Sequence, residues 1–171
     1  MNSELIRKDF PILETKVNGY PVVYFDNGAT TQRPLPVMRA VMDYVTRNNG
    51  NPHRGAHIFA MSASEAYDTS KTVIKDFIGA KSEKEIIYTR NTSESLNLVA
   101  RSYGETHLKK GDRILIPVSE HHSNLVPWQR AAKKTGAVLE YMYVDKETGR
   151  LSEGELKKID DPRVKILAFA Q

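Results

Sequence analysis

The chain has 171 residues, of which 40% are hydrophobic and 27% are charged, values typical of a soluble globular domain with its own core. The net charge of +4 comes from scattered lysine pairs without a basic stripe interleaved with aromatic residues, so no nucleic-acid partner is expected. The absence of cysteine excludes disulfides, zinc–thiolate sites and a thiol nucleophile. The absence of a signal peptide and of ~20 consecutive apolar residues favours a cytoplasmic protein without a membrane partner.

The predicted elements of the first half are short and are separated by turns. A helix over 3–9 ends at Pro11, and a strand over 22–25 leads into a polar turn over 26–31. Apolar residues then recur at helical spacing from Val37, which predicts an amphipathic helix over 36–48. Another helix is predicted over 62–78, since Gly79 is a typical residue at a helix end.

From residue 85 onwards strands and helices alternate. The strands are predicted over 85–89, 113–118, 138–144 and 164–170, and the helices over 92–107, 124–135 and 152–159. This alternation predicts an α/β fold, an αβα sandwich whose mostly parallel sheet is covered on both faces. Because the sequence stops directly after an apolar strand, we expect a truncated part of a larger domain. The alternative is a small domain with this strand at the sheet edge.

A hydroxyl-rich turn over 89–95 joins a predicted strand to a predicted helix. Asn91 can cap this helix, with Glu94 three positions later as in a capping box. The free N–H groups at the helix start and the hydroxyls of Thr92 and Ser93 would suit a phosphate dianion. Ligands of open α/β sheets bind at the carboxyl ends of strands, where this turn lies. The alternative is a capped helix without a ligand.

A pair of histidines, His121 and His122, follows the next predicted strand. Adjacent residues do not share one face of a helix or strand, so a bidentate metal pair is not expected. The ring of His121 could instead stack on a flat aromatic ligand or move protons near neutral pH. A surface histidine with local hydrogen bonds is the alternative.

The loop over 53–57 contains two further histidines and an arginine. His53 and His57 are four residues apart, but Pro52 and Gly55 argue against the helix that a zinc pair would need. Arg54 could bind a carboxylate or phosphate with both guanidinium nitrogens, or it could be a plain surface residue. No metal site is predicted.

Four stretches resemble, in order and spacing, the N-terminal half of class V aminotransferase-fold enzymes. They are Asp26 to Thr31, His53 to Gly55, Arg90 to Asn97 and Glu120 to Gln129, and the opening from Arg7 to Phe25 is similar too. The resemblance covers nearly the whole chain and is greatest to the SufS-type cysteine desulfurase and selenocysteine lyase group, enzymes that depend on pyridoxal 5′-phosphate (PLP).

The resemblance implies a role for seven residues. Thr92 and Ser93 would hold the cofactor phosphate, and His121 would stack on the pyridine ring and serve in catalysis. Ala29 and Thr30 would lie near the substrate, and Arg54 and Glu94 at the interface of a homodimer. The fold would be the large domain of PLP fold type I. Residues 1–35 would form an N-terminal segment near the small domain and active site, and 36–171 the first part of the large domain.

The implied activity belongs to a longer protein. In the family, the aspartate, Schiff-base lysine, arginine and nucleophilic cysteine of the active site come later than residue 171, so this chain alone is expected to be inactive. The parent enzyme would convert L-cysteine to alanine, leaving a persulfide for a sulfur-acceptor protein of iron–sulfur cluster assembly. Alternatives are selenocysteine lyase, kynureninase or another class V PLP enzyme, or a non-catalytic truncated domain.

Overall fold

The computed structural model describes residues 2–170, which divide after Ile86 into two compact units. The first unit contains the N-terminal segment and the long helix before Gly79. The second contains the parallel sheet and the two hydroxyl- and histidine-rich turns. The division predicted from the sequence, after residue 35, concerns the complete large domain and stays a prediction.

The first unit opens with a helix and a small hairpin. Helix α1, Ser3–Arg7, is followed by a 3-10 turn, Pro11–Glu14, and by two antiparallel strands, β1 (Lys16–Val17) and β2 (Tyr20–Pro21). Asn18 and Gly19 have positive φ values of 52° and 84°, as a two-residue hairpin turn of type I′ requires.

The strand predicted over 22–25 is wrong, because the Asn18–Gly19 turn sets the pairing earlier in the chain. Residues 16–17 pair with 20–21, and the amide of Val22 donates one more bond to the carbonyl of Thr15 over 3.0 Å. Beyond that bond, residues 23–25 form no strand, since a strand needs a neighbour for its backbone groups.

Two longer helices complete the first unit, as predicted. Helix α2, Leu35–Asp43, continues into a wide π turn, Tyr44–Asn48, and helix α3 spans Ile58–Ile78. Gly79 ends α3 in the left-handed conformation. Helix α3 begins four residues earlier than predicted, because the side chain of His57 accepts the N–H of Ala60 and so caps the helix.

The strand predicted over 85–89 is also wrong. A 3-10 turn occupies Glu83–Glu85, and Ile86 follows in an extended conformation with φ −94° and ψ 114°. No strand lies beside this stretch within residues 2–170. Ile86 is therefore extended but not part of a strand, because a strand needs a neighbouring strand to pair with.

The second unit is a parallel sheet with helices on both faces, which confirms the predicted α/β class. Strands β3 (Arg113–Pro117), β4 (Val138–Met142) and β5 (Val164–Leu167) are parallel in the order β4-β3-β5. The helical segments are α4 (Thr92–Val99), a π turn (Ala100–Gly104), α5 (Glu105–His107), α6 (His122–Thr135), α7 (Glu153–Leu156) and a 3-10 turn (Lys157–Asp160).

The central strand β3 is buried on both faces. Ile114 and Ile116 pack in the main cluster with Trp128 of α6 and with Ala100. The opposite face holds Leu115, which is fully buried, and a small apolar cavity of about 100 Å³ below α7, lined by Pro117, Met142, Leu151, Leu156, Ile159, Leu167 and Phe169. This burial explains the uninterrupted apolar run of β3.

Candidate functional site

The start of helix α4 has two free backbone donors. Thr92 and Ser93 are its first two residues, and both are exposed. Within residues 2–170, neither their N–H groups nor their hydroxyls have a hydrogen-bond acceptor. The first N–H groups of a helix have no intrahelical partner, so they remain available to an anion.

The cap of α4 leaves these donors open. Asn91 accepts the N–H of Glu94 with its side-chain oxygen over 2.9 Å, and the Glu94 carboxylate accepts the N–H of Arg90 over 2.7 Å. This is the predicted capping arrangement, except that Glu94 reaches Arg90 rather than Asn91. The hydroxyl of Ser95 lies 2.6 Å from that of Thr89. The cap therefore holds the turn without using Thr92 or Ser93.

Helix α6 begins with His121 as its N-cap. Nδ1 of His121 accepts the N–H of Ser123 over 3.1 Å, and the Ser123 hydroxyl lies 2.8 Å from the same nitrogen. The ring is exposed and meets the ring of His122 edge-on, with centroids 6.2 Å apart. The sequence predicted a helix start at 124, and the histidine cap places it at 122.

Helices α4 and α6 begin at the same edge of the sheet. The two helices pack against each other. The π turn and α5 continue α4, and their residues meet residues late in α6: a Cβ at Gly104 would lie 3.8 Å from Ala131, and Glu105 pairs with Lys134. The two helices therefore run in the same direction. Since α6 follows β3 directly, both helix starts lie at the carboxyl edge of the parallel strands.

The loop between β3 and α6 is bonded to both neighbouring strands. On one side, the N–H of Val118 donates to the carbonyl of Met142, at the end of β4, over 2.9 Å. On the other side, the carboxylate of Glu120 accepts the N–H of Ala170, just beyond β5, over 2.5 Å. The residue that follows Glu120 is His121, so its backbone position is set by three strands.

A polar chain that the sequence did not predict continues from Glu120 into the core. The side-chain amide of Asn124 donates to Glu120 over 2.9 Å and accepts the indole N–H of Trp128 over 3.1 Å. Asn124 and Trp128 are only 7% and 4% exposed. The spacing of Asn124 and Trp128 could have indicated this bond, because residues four apart lie on one side of a helix. Trp128 thus packs in the apolar core and also donates this indole hydrogen bond.

Three of the predicted site residues lie in the first unit. Ala29 and Thr30 are in an exposed turn in which both backbone amides donate to the carbonyl of Asp26, over 3.2 and 3.1 Å. Arg54 is exposed and its amide donates to Asn51 over 3.3 Å. The roles of Ala29, Thr30, Arg54 and Glu94 stay predictions.

The loop of His53 and His57 makes local contacts. His53 has a positive φ of 57°, and its Nε2 lies 3.4 Å from the carboxylate of Asp68. His57 caps α3 instead of lying within it. Within residues 2–170, no group of three His, Asp or Glu side chains is placed to hold a metal ion, and no helix is long and apolar enough to cross a bilayer.

A group of ion pairs lies at the amino edge of the sheet, opposite the helix starts. A bidentate bond from Arg163 holds the pKa of the Asp161 carboxyl well below its usual range. Arg113, the first residue of β3, lies 3.2 Å from Asp161 and 2.9 Å from Glu140. This edge is therefore occupied by ion pairs among the protein's own side chains.

Comparison with known proteins finds similar proteins that are named cysteine desulfurases. A probable cysteine desulfurase of Halalkalibacterium halodurans is 45% identical over 99% of this chain and 41% of its own length, and one of Synechocystis sp. is 50% identical over 83% and 34%. The apo structure of a cysteine desulfurase from Thermococcus onnurineus NA1 superposes with a TM-score of 0.79 at 43% identity, over 92% of this chain and 38% of that one.

The chain thus spans about two fifths of the length of these relatives, and its sheet is a fragment of their fold. Cysteine desulfurases and class V aminotransferases are PLP-dependent enzymes. The model of the family described as aminotransferase class-V matches residues 23–171. With the parallel sheet and the two helix starts at its carboxyl edge, this match shows that the chain belongs to the aminotransferase class V family.

Proposed function

We propose that this chain is the N-terminal part of a PLP-dependent cysteine desulfurase, called here the full-length protein. The observation that carries the proposal is the pair of unbonded N–H groups at the start of α4, at the sheet edge where His121 caps α6. Relatives with the cysteine desulfurase name match the chain over 83–99% of its length, which supports the activity.

The free donors at Thr92 and Ser93 fit the phosphate of PLP. Two backbone N–H groups and two hydroxyls belong to the first two residues of one helix, and none has a hydrogen-bond acceptor within residues 2–170. A phosphate dianion accepts such donors and is stabilised by the positive end of the helix.

His121 would stack on the pyridine ring and hold a proton near it. Because its Nδ1 accepts from Ser123, the neutral ring carries its proton on Nε2 and can donate it outward. Bound PLP supplies an electron sink that weakens bonds at the substrate's α-carbon. The contribution of this chain would be to bind the phosphate, orient the ring and place one proton at Nε2.

The sulfur acceptor of the reaction must come from outside this sequence, since it contains no cysteine. We propose that a thiolate in the remainder of the full-length protein takes the sulfur of L-cysteine, leaving alanine and a cysteine persulfide. The Schiff-base lysine would lie in the same remainder, so the 171-residue chain alone would be inactive. Homodimer formation through Arg54 and Glu94, a cytoplasmic location and transfer to an iron–sulfur assembly partner belong to the same proposal and rest on the resemblance.

The test compares the full-length protein with the 171-residue chain, each incubated with PLP and L-cysteine. The full-length protein should be yellow, form alanine, and carry a persulfide that alkylation and mass spectrometry detect. The 171-residue chain should show no visible-range lysine adduct absorbance and form no alanine. A strongly yellow 171-residue chain, or a full-length protein that forms no alanine from cysteine, contradicts the proposal.

A further inference from the structure

The carboxylate of Glu120 connects two distant parts of the second unit. One of its oxygens accepts the N–H of Ala170, fifty positions later in the chain, and the other accepts the side-chain amide of Asn124. Both oxygens are thus occupied by N–H donors. The two donors bond different oxygens, and a glutamine would replace one of these oxygens by an NH₂ group that cannot accept, so one donor would lose its partner.

Asn124 is held in a single orientation. Its oxygen accepts the indole N–H of Trp128, which can only donate, so its NH₂ group must face Glu120. Its backbone N–H donates to the carbonyl of His121 over 2.8 Å. Because Asn124 and Trp128 are both buried, an unsatisfied group in this chain would be costly.

His121 itself makes no direct bond to a neighbouring strand within residues 2–170. Its ring bonds only to Ser123, and its carbonyl to Asn124. The position of the ring relative to the sheet edge therefore depends on how the loop before His121 and the first turn of α6 after it are held. Glu120 fixes the loop to the end of β5, and Asn124 fixes it to the core.

We propose that Glu120 and Asn124 are positioning residues for His121, and that the bond from Ala170 to Glu120 sets the depth of the ring at the carboxyl edge. The inference rests on the proposed function, because it concerns the ring that would stack on PLP. The inference also goes beyond the proposed function, because it states that the position of the His121 ring is determined by the Glu120 carboxylate and its bond to the backbone N–H of Ala170.

The main test uses Glu120→Gln in the full-length protein, with Ala170→Pro as a second variant that removes the N–H donor and leaves the loop sequence intact. The matched control is Glu155→Gln, whose carboxylate also accepts one backbone N–H, from Tyr143 over 3.1 Å, and one side-chain donor, Lys158. All three should remain folded, and circular dichroism checks this.

For the two test variants we expect kcat with L-cysteine to fall about 10-fold or more, since a small misplacement of a reacting group has an effect of this order. KM should change less than about 2-fold, because substrate recognition is untouched. In a His121→Ala background, Glu120→Gln should cause no additional loss. The inference is overturned if kcat is unchanged in the test variants, or if Glu120→Gln lowers kcat as much in the His121→Ala background as it does when His121 is present.

A second measurement is independent of turnover. The ¹⁵N–¹H spectrum of the His121 ring should shift or broaden in Glu120→Gln and in Ala170→Pro, and stay unchanged in Glu155→Gln. A ring spectrum unaffected by both test variants overturns the positioning role even if the protein has a different activity. If the unmodified full-length protein does not convert cysteine but the ring spectrum shifts in both test variants, the proposed function is rejected and the positioning role is kept.

Discussion

The backbone N–H of Ser123 donates to Nδ1 of His121 over 3.1 Å. A backbone N–H cannot accept, so this bond assigns the lone pair to Nδ1 and the proton of the neutral ring to Nε2. The imidazole therefore faces its surroundings as a donor.

This tautomer should persist in Ser123→Ala, because the variant keeps the backbone donor and loses only the hydroxyl. Long-range ¹⁵N–¹H spectra of the full-length protein above neutral pH should show an unprotonated Nδ1 and a protonated Nε2 in both proteins. A protonated Nδ1 in the unmodified protein would contradict the assignment.

Replacing His121 by alanine should weaken cofactor retention or turnover. Stacking of an aromatic side chain contributes roughly 0.5–1.5 kcal/mol beyond area burial, which corresponds to about a 2-fold to 12-fold change in PLP affinity. His122→Ala is the control, since His122 is exposed and is only the first residue of α6. Equal kinetics and cofactor content in His121→Ala and the unmodified protein would remove the stacking role.

Ser93→Ala should lower the affinity for PLP by about 13-fold to 160-fold, because a hydrogen bond to a charged group contributes about 1.5–3 kcal/mol. Fluorescence titration of the apoprotein measures this. Ser95→Ala is the matched control in the same helical turn, since its hydroxyl is already bonded to Thr89. If both variants weaken PLP equally, the effect comes from the helix start as a whole and not from the Ser93 hydroxyl.

Gly50→Ala should destabilise the protein by about 1–3 kcal/mol. A Cβ at this position would lie 2.4 Å from the carbonyl oxygen of Phe59, a backbone atom that cannot move alone. Gly28→Ala is the control, because a Cβ there has no atom within 4 Å. Urea unfolding of the full-length protein gives the two free energies, and a Gly50→Ala variant as stable as Gly28→Ala would show that the loop adapts freely.

Asp161 should contribute to acid sensitivity. Its bonds to Arg163 lower its pKa in the folded state below the ordinary value of 3.8, so the folded protein binds this proton less readily than the unfolded chain. The resulting stabilisation is complete well above pH 3.8 and is lost as pH falls through the folded-state pKa. The urea midpoint should therefore fall less steeply with acidification in Asp161→Asn than in the unmodified protein. Parallel pH curves for the two would contradict the role of this ion pair.

The elements that the sequence predicted correctly are those with a local signal. Gly79 and Gly136 end their helices in the left-handed conformation, as glycines at helix ends commonly do. The apolar run of β3 is recognisable because both of its faces are buried. The two wrong strands, over 22–25 and 85–89, have the right composition, but whether such a stretch becomes a strand depends on a neighbour, which composition does not encode.

The candidate site was only partly predictable for the same reason. Asn91 and Glu94 lie three residues apart, so their cap is visible in the sequence. The partner of Glu120 is a backbone N–H at position 170, and every residue except proline carries that donor. No pattern of side chains could therefore have predicted this bond, and neither could it have predicted that Ser123 fixes the tautomer of His121.

The parallel run of α4 and α6 has an electrostatic consequence. Each helix start carries a partial charge of about +0.5, so the two together present roughly one positive charge at one edge of the sheet. This field comes from peptide groups, is strongest within the first turn of each helix and is screened by salt. Binding of an anion at this edge should therefore weaken as ionic strength rises, and the peptide groups of the two helix starts contribute to that dependence.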